Sequence, residues 1–489
     1  MTTSKSLRNI RSFGDVAAED DAVLDYFLTT DAVERVQNGE VFLLLGRKGS
    51  GKTALVRHFT EGQQESLSKS LNLRNYPWSL HAQRQDRGAS PIEAYVSSWR
   101  YLIAVEVAGI VLAQSERPQS QKYLDLATFF QENYGGPAPQ LSEILRPRKL
   151  KISRASFQPK ILGQQLGSID LERTSADAQL GLELNRLSGA ILQTAIDIAK
   201  NESMPPVSLH FDELDQGLGT LDEERKLMFV GLVLAARELR RECRQQGYSI
   251  NPLVYLRTDL WDDLDFSDKN KITETTALNL DWNEDTLFQL VEARIKAKLS
   301  EETGWADIAT EGLMRGSQPK WNHIVSRTFR RPRDVIKFLN SALAIAKQRK
   351  DDPLLFENED IVGARDEYST YLKRELDDEI LPHWRQWEEA LQACSAISTL
   401  TFNREDFVRE YSNKRSKDND LDASEALAHL FRFSVIGYAR RSGYGGSSWV
   451  FQYTSPEAGW DNAASSFKVH IGLKEYAKLS ETRRTDAVK

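Results

Sequence analysis

Hydrophobic positions near the start of the chain change period twice within sixty residues. Residues 19–37 carry Val23, Leu24, Tyr26, Phe27, Val33 and Val36 at roughly helical spacing, and Val41-Phe-Leu-Leu-Leu45 then forms a short, wholly apolar run. A run of that kind is what a parallel strand covered on both faces requires. Gly46 ends it, and a helical pattern begins at Lys52 with Thr53, Ala54, Leu55, Val56 and Phe59. The local order is therefore strand, glycine-rich turn, helix.

The same alternation continues downstream. Strands are predicted at Trp78–Ala82, Val207–Phe211, Leu253–Leu256 and Ala277–Leu280, and helices over Pro91–Gln114, Gly189–Asn201 and Asp222–Gln246. Residues 115–185 read as irregular, because Pro118, Gly135-Gly-Pro137, Pro139 and Pro147 break any period. Alternation in Leu150-Lys-Ile-Ser and in Phe157-Gln-Pro-Lys-Ile-Leu predicts a hairpin inserted there. A helical stretch follows over 284–347, then one or two polar helices over 361–393. The tail reads as two short helices and a hairpin pairing Ser434–Tyr438 with Trp449–Tyr453. Strands alternating with helices give an α/β class with a parallel sheet. The expected organisation is an α/β core at 1–282 containing the insertion at about 115–185, a helical segment at 283–360, a helical linker at 361–393, and a C-terminal domain at 394–489.

Composition narrows the class without changing the fold reading. A chain of 489 residues with 40% hydrophobic and 28% charged residues is ordinary for a soluble multi-domain protein. No uninterrupted apolar run reaches the roughly 18 residues of a transmembrane helix. Residues 1–8 lack the apolar segment of a secretory signal. Cys243 and Cys394 are far apart and form no metal-type pair, so both are expected as buried thiols in a reducing compartment. These features together lead to a cytoplasmic expectation. A net charge of −7 argues against a protein that coats nucleic acid non-specifically. One basic stretch remains, from Arg146 through Arg148, Lys149, Lys151 and Arg154 to Lys160, with no acidic residue inside it.

The chemistry concentrates at the first turn. Gly46-Arg47-Lys48-Gly49-Ser50-Gly51-Lys52-Thr53 fits G-x-x-x-x-G-K-[ST] at every position. Glycines let backbone N–H groups wrap a β-phosphate, and the following helix N-terminus favours negative charge. Lys52 is expected on the β- and γ-phosphates of ATP, with the Thr53 hydroxyl on Mg2+. Val207-Ser-Leu-His-Phe-Asp212-Glu213 supplies an apolar strand ending in two carboxylates. Ligands bind beyond the carboxyl ends of parallel strands. Asp212 is therefore expected to hold Mg2+ through water, and Glu213 to polarise the attacking water. Arg257-Thr-Asp259 ends the next strand, either as a γ-phosphate sensor or as an arginine paired with an acid. Arg333, in Arg330-Arg-Pro-Arg-Asp334, sits where a lid helix starts and either reaches the γ-phosphate or belongs to a solvated basic face. Arg240-Arg241 reads as a charged helix surface or as a finger acting on a second copy.

Taken together, Leu44-Leu-Gly-Arg-Lys-Gly-Ser-Gly-Lys-Thr53, Leu256-Arg-Thr-Asp-Leu260 and Arg330-Arg-Pro-Arg-Asp-Val-Ile-Lys-Phe-Leu339 resemble AAA+/STAND ATPases of the origin-recognition-like branch. More narrowly, they are similar to a family of bacterial P-loop ATPases found on mobile elements and among defence genes. The resemblance spans about residues 10–375 and implies the sheet order 5-1-4-3-2, with Arg257 and Arg333 as sensor arginines. The tail resembles a winged helix. Two departures are the long insertion at 115–185 and the lack of an obvious trans arginine finger. The expected function is an ATP-binding and ATP-hydrolysing switch acting on a protein partner or a second copy, in defence against foreign DNA. Its alternatives are a DNA-remodelling ATPase, contacting DNA through the basic insertion 146–160 and the C-terminal domain, and a nucleotide-binding scaffold without turnover.

Overall fold

A computed structural model describes residues 5–62, 66–73, 91–145, 149–151, 168–170, 179–214, 221–441 and 447–481. The chain divides into two compact units. One comprises Thr29–Arg47 and Lys52–Leu280; the other comprises Met1–Leu28, Lys48–Gly51 and Asp281–Lys489.

The first unit is built on a five-stranded parallel sheet. Its elements are α1 (Asp31–Gln37), β1 (Leu43–Leu45), α2 (Lys52–Glu61), β2 (Leu67–Asn72), α3 (Pro91–Gln114), α4 (Gln121–Tyr134), β3 (Lys149–Lys151), β4 (Ser168–Asp170), α5 (Gln179–Asn201), β5 (Val207–Asp212), α6 (Glu223–Gln245), β6 (Ile250–Leu256) and β7 (Ala277–Asn279). The strand order is β2-β5-β6-β1-β7, with every neighbouring pair parallel. Counted from the other edge, that is 5-1-4-3-2 over the five sheet strands, the order the resemblance implies. This is an α/β fold, a parallel sheet with helices packed on it. β1 has a strand on either side and is buried throughout, which explains its unbroken leucines. Its pairing extends past the leucines: Phe42 donates to Thr276 O at 3.0 Å, and Gly46 donates to Leu256 O at 3.2 Å.

Sequence patterning missed β2. Ser68, Lys69 and Ser70 give it no apolar run, and only Leu71 within it is buried. Among the described residues β2 pairs with β5 alone, and an edge strand tolerates polar residues that a central one does not. The strand expected at Trp78–Ala82 lies outside the described residues. The region read as irregular contains a helix, α4. Ser120 caps it by accepting from Tyr123 N at 3.2 Å, and Gly135 ends it at φ +78°. The glycine read as a breaker is therefore a helix stop. β3 forms where the first hairpin strand was expected, but its antiparallel partner is β4, with Lys149 opposite Asp170. The second expected hairpin strand, Phe157–Leu162, lies outside the described residues, as do Arg146, Arg148, Arg154 and Lys160 of the basic stretch.

α3 is long and apolar enough by composition to cross a membrane, with a window of mean hydropathy 1.5, yet 78% of that window is buried inside the protein. Its two buried charges are matched within the fold. Arg100 pairs with Glu238 and Glu242 of α6 at 3.1 and 2.6 Å, and Glu106 pairs with Lys69 of β2 at 2.6 Å. α3 is thus a core helix, packed on α5 and α6.

The second unit is mainly helical. It contains α7 (Glu284–Lys298), α8 (Pro332–Ala346), α9 (Asn358–Ile380), α10 (Trp387–Ile397), β8 (Thr401–Asn403), α11 (Arg404–Lys414), α12 (Ala423–Arg432), β9 (Ile436–Arg441), β10 (Ser447–Val450) and β11 (Ser466–Val469). The hairpin expected at the tail forms as β9 and β10, with Ala439 opposite Trp449. The sheet is larger than a hairpin, in the order β10-β9-β11-β8, all antiparallel. β8 and β11 are too short to read as strands by alternation alone. One apolar cluster runs through the unit, from Leu7, Ile10 and Phe13 through the faces of α7–α10 to Phe467 and Leu473. Both cysteines are buried and free, as expected.

Candidate functional site

The glycine-rich turn occupies residues 46–51 between β1 and α2. Gly49 and Gly51 adopt φ of +80° and +101°, which an L side chain rarely takes. Space forbids a side chain at Gly49 independently, since a Cβ there would lie 2.8 Å from Arg333 Cβ. The Lys52 ammonium folds over the turn, donating to Gly46 O at 2.9 Å and Arg47 O at 3.2 Å. Thr53 is half-buried in the first turn of α2.

β5 ends on Asp212 and Glu213, both buried. Glu213 holds φ +57°, a left-handed conformation that costs a non-glycine residue roughly 1–2 kcal/mol. Strain of this sort persists where surrounding structure fixes it, and it clusters at working sites. Three residues earlier on β5, His210 exchanges a 2.9 Å hydrogen bond with Tyr255 OH of β6 and stacks on Phe59 of α2 at 5.7 Å. Burial pushes the His210 pKa down to about 3, so the imidazole is neutral near pH 7. Burial, then the Asp212 charge, raises the Tyr255 phenol well above its usual range. The helix after the glycine turn is thereby packed against the strand that ends in the two carboxylates.

Arg257 is the residue before a short helix at Thr258–Asp262, and it is buried. Its guanidinium grips Asp259 with two bonds, at 2.9 and 2.6 Å. Of the two readings weighed for this arginine, the pairing with an acid is the one formed here. Arg240, expected on an exposed surface with Arg241, is instead buried. It donates to Gly39 O at 2.7 Å and lies over the Phe42 ring at 5.2 Å. Burial, then the neighbouring Arg244, pushes its pKa down to about 10. Arg241 alone is exposed.

In the helical unit the three arginines before and within α8 separate completely. Arg330 makes a surface pair with Glu284 at 3.0 Å. Arg331 is buried, binds Asp334 twice, at 2.8 and 2.9 Å, and pairs with Glu379 of α9. Arg333 donates through Nε to Val16 O at 2.8 Å and pairs with Glu375 at 3.3 Å. The turn residues Lys48–Gly51 belong to this unit by packing. Lys48 pairs with Asp378 and lies 3.6 Å from Glu375. Arg333 N donates to Gly49 O at 3.4 Å, and the Trp282 indole donates to Ser50 O at 2.8 Å. Sequence reasoning did not single out Trp282, Glu375 or Asp378. Trp282 carries a weak signal, because it directly precedes an Asn-x-x-Thr helix cap; nothing in the sequence links Lys48 to residues more than 300 positions away.

Among the described residues no group of three or more His, Cys, Asp or Glu could form an all-protein metal cage. A magnesium ion needs no such cage, since this hard cation takes one or two oxygen ligands from protein and the rest from phosphate and water.

In comparisons with known proteins, the FunZ-associated C-terminal helical domain matches residues 285–377, which cover α7, α8 and most of α9. No curated protein matches the chain. Among solved structures, the chain is similar to the Aeropyrum pernix Orc1 protein in complex with DNA, at 12% identity and TM-score 0.36, over 96% of each chain. It is also similar to Cdc6p from Pyrobaculum aerophilum, at 12% identity and TM-score 0.31, over 91% of this chain and 89% of that one.

Proposed function

We propose that the protein binds ATP–Mg and hydrolyses it as a switch acting on a macromolecular partner. The observation that carries this reading is the placement of two motifs on one parallel sheet. The glycine turn leaves the C-terminal end of β1, and Asp212-Glu213 leaves that of β5, with only β6 between these strands. The turn's amides and Lys52 bind the phosphates. Thr53 and Asp212 hold the magnesium, which offsets the phosphate charge. Glu213 orients and deprotonates the attacking water. Arg257 and Arg333 serve as sensors only by exchanging Asp259 and Glu375 for phosphate. That exchange suits a switch, because nucleotide state then decides which protein contacts survive.

The test compares wild type with Glu213→Gln in phosphate release and in binding of a fluorescent ATP analogue. Binding within about twofold of wild type, with turnover down about 10²–10⁴-fold, is expected for loss of a general base. Equal turnover in the two proteins sinks the assignment. Lys52→Ala should lose nucleotide binding itself.

A protein partner or a second copy is the first candidate for the switch's target, and the family resemblance supports a defence setting. A DNA-directed reading has one observation behind it. The helix, strand, two helices and hairpin of residues 387–450 follow a winged-helix-like order, with Arg440 exposed on β9. Binding of labelled duplex that weakens with salt at a log–log slope near −3 to −5, about −0.9 per phosphate contacted, favours it. No binding with or without ATP leaves the protein-directed switch.

A further inference from the structure

We infer that Trp282 is a positioning residue for phosphate binding, fixing the turn's backbone amides before any nucleotide arrives. The inference rests on the nucleotide reading of the turn. A trans peptide is planar, so its C=O and N–H point in opposite directions. Two consecutive carbonyls of the turn are taken by donors outside it. Ser50 O accepts from the Trp282 indole at 2.8 Å, and Gly49 O accepts a longer bond from Arg333 N at 3.4 Å. The N–H groups sharing those peptides, on Gly51 and Ser50, must therefore face away from Trp282 and Arg333. Adjacent N–H groups on one side of a glycine turn make the concavity that cradles a phosphate.

The tryptophan is well placed to hold this geometry. It precedes α7, where Asn283 accepts from Thr286 N at 2.8 Å and donates its own N–H to Thr286 Oγ1 at 3.0 Å. This reciprocal cap fixes the chain entry, and Trp282 packs half-buried on the apolar cluster that includes Leu287. An indole has one donor and two side-chain torsions, so little freedom is lost in forming the bond. Lys48, paired with Asp378 of α9, steadies the other end of the same four residues. Free glycine-rich backbone would have to be ordered when phosphate binds, at a cost in conformational entropy. A turn held from outside avoids part of that cost.

The decisive experiment uses the full-length protein with Trp282→Phe, which keeps an aromatic ring and removes the donor. Expected are a Kd for ATP and for ADP weakened by one common factor of about five- to tenfold, as for loss of one hydrogen bond, and kcat within twofold. Competition by inorganic pyrophosphate should weaken by the same factor. Hydrogen exchange of the peptide spanning 46–53 should speed up without nucleotide, at an unchanged thermal midpoint. Unchanged affinity or unchanged loop exchange overturns the inference, as does weakened ATP binding with pyrophosphate unaffected, which would place the ring on the base. Wild type binding neither nucleotide would instead overturn the nucleotide reading, with the exchange comparison still deciding the hold of the indole.

Discussion

The end of β5 and the start of α8 both gather charge where a regular element meets a turn, yet they hold it in opposite ways. At β5 two acids stand side by side, Glu213 in a left-handed backbone conformation. At α8 Arg331 is matched by two carboxylates, Asp334 and Glu379, and the triad is sealed from solvent. A buried charge that is fully matched holds structure together, and removing one member exposes the others to an uncompensated interior. At Glu213 the left-handed backbone is itself a cost that the surrounding structure holds in place, and strain of this kind clusters at functional sites. The contrast separates the proposed catalytic site from one that clasps helices, although both look like charged clusters in sequence.

The comparison is broken most directly at Glu213. Replacing it with glycine suits φ +57°, so stability should stay within about 1 kcal/mol of wild type, because relief of strain offsets added freedom in the unfolded chain. Turnover should nevertheless fall about 10²–10⁴-fold. A thermal melt beside a phosphate-release assay reads both, and a large loss of stability would make Glu213 structural. Arg331→Ala should do the reverse, costing about 3–5 kcal/mol of stability by leaving Asp334 and Glu379 buried without their cation. If its melting temperature matches wild type, the clasp is not what holds α8 to α9.

Smaller effects sharpen the picture within α8. Arg333→Ala should lower turnover about ten- to a hundredfold, the range for removing one fixed electrostatic donor, without unfolding the protein. Normal turnover would return Arg333 to a purely structural pairing with Glu375. Arg330→Ala should change stability by less than about 1 kcal/mol and leave turnover intact, because its pair with Glu284 is solvent-exposed. The His210 pKa adds a pH arm. Its folded value, about 3, lies below the ordinary 6.5, so the folded state binds fewer protons than the unfolded one between these values. Stability should fall as pH drops below about 6.5, and His210→Gln should flatten that limb; an unchanged acid limb would show that other groups dominate it.

The glycine turn, the apolar run before it and the two carboxylates ending Val207–Asp212 were determined by sequence alone. Each depends on residues within a dozen positions, and local sterics and burial dictate them. β2 was not legible, because an edge strand need not be apolar, and α4 was hidden by the glycine that ends it. The tertiary structure decided which arginine does what. Arg240 and Arg241 are adjacent in sequence, but only Arg240 is buried; Arg330, Arg331 and Arg333 share one motif and have three sets of partners. The hold on the turn was also invisible beforehand, since Lys48 meets Asp378 across 330 positions and Ser50 meets Trp282 across 232. Sequence fixes which groups can form such bonds. Only packing of distant helices decides which groups come within hydrogen-bonding reach, where one geometry excludes the others.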